Sequence, residues 1–533
     1  MRSKSTGAPR APAVSGRIDR GGRPGASGTA APTVPPGGTG PSDPLSLLLD
    51  LLVLALAAGY LVMLWRQASP AMIASDECFH AYLAEWIARH GRLPHVLPEF
   101  YSGLPYFYPP LFHVLGAVAI KMAGPDSLKV LNVVLTAGLV AVLHALPVPG
   151  LPRFARRCAI LLCLASPALS FYAVSVYAET LATLMAVLFL MLLLRARARP
   201  GVSAGVLLGL ALGASLLAKQ TAVMLPLLLA VLAVLDLVRR RRRLATTMLV
   251  ALGIGTVAAL PFFVRNAVLF GSPFYPPITN NAQVMLDAMN TRFFSLPAPM
   301  FYRKAMIVMG PVVPWLAGVA FAWNLARRRF DLVTGLLAGC IAFTLLMPWV
   351  PRFQPRHLNP VTAMAALLGS LALVDVAARR RWVALVTQTA LLVWATVFVA
   401  RMGGQRAWLD ASAAEREVYR AVATFVPAGG TVLSRSTYDT FYYARRNATW
   451  PIPWGETAGQ IDLFDERDPA RFLATLDRLS IGYLLVPRRT TARRFNGTNY
   501  PQSFIDCVAT LVERGRLRVL WGSDDMVLVG PAR

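Results

Sequence analysis

The chain has 533 residues, of which 56% are hydrophobic, and its formal net charge is +26. Several apolar runs exceed the ~18 residues that span a hydrocarbon core, so the composition excludes a soluble globular protein and predicts a mainly α-helical, polytopic membrane protein. The arginines lie in short clusters between apolar runs, which is typical of charges that orient a membrane protein rather than bind nucleic acid. The five cysteines form no CxxC motif, so neither a disulfide scaffold nor a zinc site is indicated.

The N-terminal region and the apolar runs divide the chain. Residues 1–44 are rich in Gly, Pro, Ser and Ala without hydrophobic periodicity, which predicts a disordered cytoplasmic tail. No signal peptide precedes the first apolar run, so that run is expected to remain as a membrane anchor. The apolar runs lie at about 45–65, 107–123, 127–148, 155–173, 180–195, 203–218, 222–238, 244–264, 306–325, 331–348, 358–377 and 382–400.

The arginine clusters predict the topology. An even number of crossings must separate clusters that all lie in the cytoplasm, but three runs separate the tail from the cluster at 153–157. Run 107–123 is short, begins at Tyr108-Pro109-Pro110 and carries His113 and Lys121, so we expect it to be a juxtamembrane helix at the outer surface. Residues 45–400 then hold eleven transmembrane helices, in a plasma (inner) membrane protein with a cytoplasmic N-terminus and an extracytoplasmic C-terminus.

Three segments are expected outside the membrane: residues 66–126, 265–305 and 401–533. In the first of them, residues 77–90 have the apolar spacing of an amphipathic helix. The last segment holds 14 of the 27 acidic residues, and its pattern predicts a small α/β domain. Its predicted helices are Ala413–Phe425 and Ser503–Arg514, and its predicted strands are Gly430–Arg435, Ile481–Pro487, Arg518–Trp521 and Met526–Gly530.

Acids and a histidine follow the first span in Ser75-Asp76-Glu77-Cys78-Phe79-His80. One interpretation is a helix start, with Ser75 as the N-cap and the acids near the positive end of the helix dipole. The predicted topology brings further charges to the same outer surface: Glu179, Lys219, Arg265, Arg356 and His357.

The outer cations run against the positive-inside rule. Snorkelling would explain one or two of them, whereas an anionic group held at the outer surface explains the set, because Arg and Lys commonly bind phosphate. A carboxylate base beside a phosphate leaving group is the minimum for glycosyl transfer from a lipid-phosphate donor. Tyr101, Tyr106, Phe107 and Tyr108 either stack on a sugar or form an interfacial aromatic belt.

These motifs, in this order, resemble the GT-C membrane glycosyltransferases that use polyprenyl-phosphate sugars, including bacterial aminoarabinose transferases and protein O-mannosyltransferases. The resemblance covers about 45–375. Its elements are Asp76-Glu77, the run at 106–113, Tyr177-Ala178-Glu179, Ala218-Lys219-Gln220, Arg265-Asn266-Ala267 with 271–276, and Pro355-Arg356-His357-Leu358.

The resemblance implies an inverting transfer to an extracytoplasmic lipid, glycan or protein acceptor. Asp76 matches the catalytic base, with Glu77 as the second candidate. Glu179 matches the position that binds acceptor or, in some members, a divalent cation, and His80 is assigned to the same role. Donor-phosphate binding falls to Lys219, Arg265, Arg356 and His357, and sugar stacking to Tyr106 and Tyr108.

One departure and two alternatives stand beside this interpretation. Aminoarabinose transferases carry Glu-Lys-Pro where this chain has Tyr108-Pro109-Pro110, which argues against aminoarabinose as the donor sugar. A lipid or polysaccharide transporter or flippase would show inverted repeats and mid-span charges, and the sequence shows neither. A non-enzymatic scaffold would leave the outer acids and cations without a role.

Overall fold

A computed structural model describes residues 44–68, 76–97, 104–106, 108–273, 298–349, 354–403, 407–434, 437–449, 463, 466–488 and 502–532. The predicted N-terminal tail, the Ser75 cap, Tyr101, Phe107 and most of the loop at 265–305 lie outside these residues. Residues 43–533 form one compact unit.

Helices dominate the part up to residue 403, with one short antiparallel β-pair between the second and third helices. They are α1 (Pro44–Ala68), α2 (Asp76–His90), α3 (Leu111–Ala123), α4 (Ser127–Ala145), α5 (Arg153–Leu164), α6 (Pro167–Ala173), α7 (Glu179–Ala198), α8 (Val202–Ala218), α9 (Met224–Val238), α10 (Arg242–Phe270), α11 (Ala298–Met309), α12 (Val312–Ala326), α13 (Leu332–Leu346), α14 (Asn359–Ala372), α15 (Val374–Arg379) and α16 (Arg381–Gly403). The β-pair is β1 (Val96–Leu97) with β2 (Leu104–Pro105), and short 3₁₀ turns span Gln220–Val223, Met347–Trp349 and Pro355–Leu358.

The apolar helices are consistent with a polytopic membrane protein. Within the described residues, eight helical segments are long and apolar enough to cross a membrane, and two bent helix pairs could each add one span. Two shorter apolar helices, α3 with 13 residues and α8 with 17, fall below the ~20 residues that span a hydrocarbon core. The juxtamembrane placement of run 107–123 stays a prediction.

Two predicted runs are broken rather than continuous. The run at 155–173 divides into α5 and α6, which meet at a bend of 68°, and the run at 306–325 divides between α11 and α12 at a bend of 98°. Pro167 and Pro311 stand at the two breaks, where each lacks the N–H that would continue the preceding helix. Gly310 precedes Pro311 with φ +76°, a conformation that favours glycine.

Small residues let α8 and α10 approach closely. Gly205, Gly209 and Gly213 recur every four residues, and a Cβ on any of them would lie within 2.8 Å of an atom in α10. Such spacing is a common packing device between membrane helices. The contact fixes the end of α8, where Lys219 follows.

The C-terminal region is a small α/β domain, as predicted. Its helices are α17 (Ala407–Phe425), α18 (Thr437–Ala444), α19 (Pro469–Arg478) and α20 (Gln502–Glu513). Its five-stranded sheet has the order β4-β3-β5-β7-β6 and consists of β3 (Thr431–Leu433), β4 (Asn447–Thr449), β5 (Tyr483–Pro487), β6 (Leu517–Gly522) and β7 (Met526–Pro531). All six predicted elements are present, and α18, β4 and α19 are additional.

Candidate active site

Four charged side chains from four separate elements meet at ends of the helices. Asp76 begins α2, Glu179 begins α7, Lys219 follows α8, and Arg356 lies in the 3₁₀ turn before α14. The acids at the two helix starts face the positive ends of helix dipoles. The sequence-based prediction of one charged cluster therefore holds for these four residues.

Arg356 joins both acids. Its Nη1 and Nη2 each donate to Asp76 Oδ2 at 3.0 Å, and its Nε lies 3.7 Å from Glu179 Oε1. Lys219 Nζ donates to the same Glu179 Oε1 at 2.7 Å. The cluster contains two acids and two cations, so its formal charges balance.

The cluster is closed on one side and accessible on the other. The Glu179 side chain is 4% exposed, whereas that of Asp76 is 38% exposed. Arg356 Nε is buried without a hydrogen-bond partner among the described residues, and its guanidinium lies 5.3 Å from the centre of the Tyr177 ring. A buried N–H without an acceptor is costly, so an additional acceptor at this point would stabilise the site.

Glu77 has a different environment from its neighbour Asp76. Its Oε1 accepts a hydrogen bond at 2.7 Å from the backbone N–H of Val176. The fully buried Asn132 binds the segment around Val176, because its side-chain amide donates to the carbonyls of Ser175 and Tyr177. Glu77 therefore ties α2 to the segment that leads into α7.

His80 heads a buried chain of hydrogen bonds. Its Nδ1 lies 2.8 Å from His113 Nε2, and His113 Nδ1 lies 3.1 Å from the Tyr106 hydroxyl. Burial lowers the pKa of His80 to about 4, so the ring is neutral at pH 7. His80 is 7% exposed, while His113 and Tyr106 are 1% and 0% exposed.

The other two residues predicted to bind the donor phosphate, Arg265 and His357, are bonded to backbone groups. Arg265 donates to the carbonyls of Pro94 at 2.7 Å and Tyr106 at 2.9 Å, which ties α10 to the ends of the β1–β2 pair. His357 Nδ1 accepts from the Gln354 N–H at 3.3 Å in a capping box.

Tyr108 and Tyr106 differ in access. Tyr108 is partly buried, with its ring centre 5.4 Å from that of Phe79, whereas Tyr106 is fully buried.

No group of three or more His, Cys, Asp or Glu side chains suited to a metal ion occurs in the described part of the chain.

Sequence reasoning missed Asn132 and the partnership of His113. Asn132 lies within the apolar run at 127–148, and a buried side-chain amide needs hydrogen-bond partners. Its position in that run was therefore the sequence signal for a buried polar contact. His113 entered the sequence argument only as a sign that its run does not cross.

The fold is similar to those of solved membrane glycosyltransferases, although no protein-family model matches the sequence and no curated protein matches it. ArnT from Cupriavidus metallidurans bound to undecaprenyl phosphate superposes with a TM-score of 0.58 at 16% identity, over 90% of this chain and 97% of that one. The oligosaccharyltransferase AglB from Archaeoglobus fulgidus, in complex with an inhibitory peptide and a dolichol-phosphate, gives 0.57 at 13% identity, over 87% and 72%. Both are GT-C glycosyltransferases, so the chain has the GT-C membrane fold, which confirms the expected fold class.

Proposed function

We propose that this protein is an integral plasma-membrane glycosyltransferase that moves a sugar from a polyprenyl-phosphate donor to an extracytoplasmic acceptor, with inversion and with Asp76 as general base. The observation that carries the proposal is the shared guanidinium of Arg356, which binds Asp76 and lies beside the Glu179–Lys219 pair. The solved neighbours with bound polyprenyl phosphates support the same class of donor.

The pairing of Arg356 with Asp76 suggests how donor binding prepares the base. In the structure, Asp76 Oδ2 accepts two hydrogen bonds from the Arg356 guanidinium. A donor phosphate would compete for Arg356 and Lys219, since both side chains bind phosphate oxygens well. Arg356 would then turn from Asp76 toward the phosphate, leaving Asp76 free to accept a proton.

The transfer itself involves one bond formed and one broken. The acceptor hydroxyl gives its proton to Asp76 while its oxygen bonds to the anomeric carbon, and the bond from that carbon to the phosphate oxygen breaks. The departing polyprenyl phosphate keeps the electron pair, and Arg356 stabilises its charge. Lys219 contributes to binding the phosphate of the donor. Inversion follows because the acceptor attacks from the side opposite the phosphate.

Other residues support this centre. Glu77 is bonded to the Val176 amide, which favours Asp76 as the base. Glu179 binds Lys219, and Glu179 and His80 are the groups proposed to act on the acceptor, or on a divalent cation in a metal-dependent reaction. Tyr108 is the better candidate for sugar stacking because Tyr106 is fully buried. Arg265 and His357 would act on the donor through the backbone segments that they hold.

The experiment compares transfer from a panel of radiolabelled polyprenyl-phosphate sugars in membranes that carry the wild type, Asp76→Asn or Glu77→Gln. We expect Asp76→Asn to lose about 10²–10⁴-fold in rate, as is typical for a general base, and Glu77→Gln to lose less. NMR of the product should show the inverted anomer. Equal rates in wild type and Asp76→Asn would remove Asp76 as the base.

A flippase is the competing class, and the same membranes test it. A flippase would move labelled lipid across the bilayer without forming a glycoside. Lipid movement with no transfer from any donor would therefore contradict the proposed reaction.

A further inference from the structure

The short helix α18 of the C-terminal domain packs along α2, the helix that begins at Asp76. The contacting residues of α2 include Cys78, Tyr82 and Glu85, which are spaced four and three residues apart and therefore share one face. With 3.6 residues per turn, Cys78 points about 200° away from Asp76 around the helix axis. One side of α2 thus contacts the C-terminal domain while Asp76 contacts Arg356.

A buried polar contact lies at the first turn of α2. The Cys78 thiol donates to Asp439 Oδ1 at 3.1 Å, and the two residues are 0% and 3% exposed. Burial and the nearby Asp439 carboxylate raise the pKa of the thiol well above its ordinary value. Cys78 therefore stays protonated and keeps its role as donor, two residues from the proposed base.

A charged contact lies two turns further along α2. Tyr442 donates to Glu85 Oε1 at 2.8 Å, and Arg445 Nη2 donates to Glu85 Oε2 at 2.9 Å. Both carboxylate oxygens of Glu85 are thus bound by the C-terminal domain, and the side chain is only 12% exposed. Hydrogen bonds to a charged group of this kind are stronger than neutral ones.

Aromatic pairs fill the space between the two polar contacts. The rings of Phe79 and Tyr438 lie 5.1 Å apart, and those of Tyr82 and Phe441 lie 4.7 Å apart in an edge-to-face arrangement. Such pairs restrict sliding and rotation of one helix against the other, since their attraction depends on ring geometry.

We propose that α18 is a positioning element for catalysis: the C-terminal domain fixes the rotation and height of α2 and so holds Asp76 at the reacting atoms. This proposal rests on the proposed function. Asp76 is held from one side by Arg356, and donor phosphate would remove that partner. The contacts with α18 then become the restraints that keep α2 in place during transfer.

The test uses the full-length protein in lipid nanodiscs and two measurements. Glu85→Ala removes the two carboxylate oxygens that Tyr442 and Arg445 bind. Arg89→Gln is the matched control, because Arg89 is 59% exposed and lies 3.6 Å from Glu85 Oε2, farther than Arg445 at 2.9 Å. Transfer rates at varied donor concentration separate kcat from KM. Hydrogen–deuterium exchange of the α2 amides reports the helix directly.

We expect Glu85→Ala to lower kcat about ten- to hundredfold, the effect of a base misplaced by about 1 Å, with donor KM nearly unchanged because Lys219 and Arg356 lie on other elements. Exchange in α2 should become at least about fivefold faster, while α7 and α8 stay protected. Cys78→Ala should act in the same direction, and Cys78→Ser, which restores a donor, should recover most of the rate.

An unchanged kcat in Glu85→Ala would overturn the positioning role, whatever the exchange in α2, and so would a kcat loss with α2 exchange equal to the control. Loss of protection throughout α7 and α8 would also overturn it, since the contact would then stabilise the whole fold. A wild type without transfer activity would instead overturn the proposed function, and the exchange in α2 would still show whether α18 restrains that helix.

Discussion

Helix α7 carries an ion pair at each of its ends, and the two pairs differ in how completely they are satisfied. At its start, Glu179 shares one oxygen between Lys219 and the more distant Arg356. At its end, Arg197 pairs one to one with the buried Asp236 of α9. The same residue types thus form an open cluster at one end of the helix and a closed pair at the other.

The buried Arg157 of α5 shows what a closed site looks like. Its Nε donates to Asp50 of α1 at 2.6 Å, its Nη1 to Gln388 at 3.1 Å, and its Nη2 to the backbone and side chain of Ser46. Every nitrogen of that guanidinium has an acceptor, whereas Arg356 keeps a buried Nε–H without one. The comparison indicates that the pairs at 50–157 and 197–236 hold helices together, while the cluster at Arg356 keeps a donor for a further acceptor.

The largest effect should come from breaking the closed site. Arg157→Gln leaves Asp50 without its main partner, which should cost about 3–5 kcal/mol of unfolding free energy, as for other buried ion pairs broken on one side. Unfolding in mixed detergent micelles measures this loss. Arg153→Gln is the control, because Arg153 is 60% exposed and lies 3.8 Å from the same carboxylate. Transfer activity per folded molecule should remain; a loss of rate without a loss of stability would contradict the structural role.

The open cluster should respond in donor binding. Arg356→Gln removes the charge that would bind phosphate, and the donor concentration at half-maximal rate should rise about hundredfold, equivalent to about 3 kcal/mol. Arg265→Gln is the comparison variant, because Arg265 is bonded to the carbonyls of Pro94 and Tyr106. The Arg265→Gln variant should leave donor binding nearly unchanged. An equal rise in both variants would restore Arg265 to the phosphate site that the resemblance implies.

Lys219→Gln should have a smaller effect of the same kind. A single ammonium contributes one hydrogen bond to the phosphate, so donor KM should rise about tenfold, or about 1.4 kcal/mol. The rate at saturating donor should change little, since Asp76 is not bonded to Lys219. A large fall in that rate with unchanged KM would place Lys219 in the transfer step instead.

The open cluster could be predicted from the sequence because topology brings its parts to one surface. Arginine clusters set the orientation of the spans, and Asp76, Glu179, Lys219 and Arg356 then fell on the same side. Their pairing could not be predicted: Asp76 and Arg356 are 280 residues apart, and periodicity carries no information on which outer acid meets which outer cation. Six elements of the C-terminal domain followed from strand and helix patterns, whereas α18, β4 and α19 did not.

The contact of α18 with α2 could not be predicted from the sequence for a similar reason. The acid Glu85 and its partner Tyr442 are separated by 357 residues, and α18 is too short to give a clear helical period. The breaks at Pro167 and Pro311 were visible as prolines within apolar runs. Proline is tolerated in many membrane helices, however, so its presence alone does not predict a bend of 98°.

The smallest effect should be the pH dependence of stability, which comes from His80 rather than from an ion pair. Burial lowers the pKa of His80 to about 4 from its ordinary 6.5, so the unfolded chain binds more protons between these values. Stability from this group is complete above pH 6.5 and is lost as the pH falls toward 4. Between pH 7 and 5.5 the unfolding free energy should fall by about 1 kcal/mol.

Detergent unfolding at several pH values measures this slope, and His80→Gln should reduce it. Burial also lowers the pKa of His113, well below the ordinary value, so that residue keeps its own share of the slope and the variant should remain pH-sensitive. An unchanged slope in His80→Gln would mean that His80 is already protonated in the folded protein near pH 6. The His80 ring that bonds to His113 would then carry a positive charge. This result would contradict a chain of neutral groups from His80 through His113 to Tyr106.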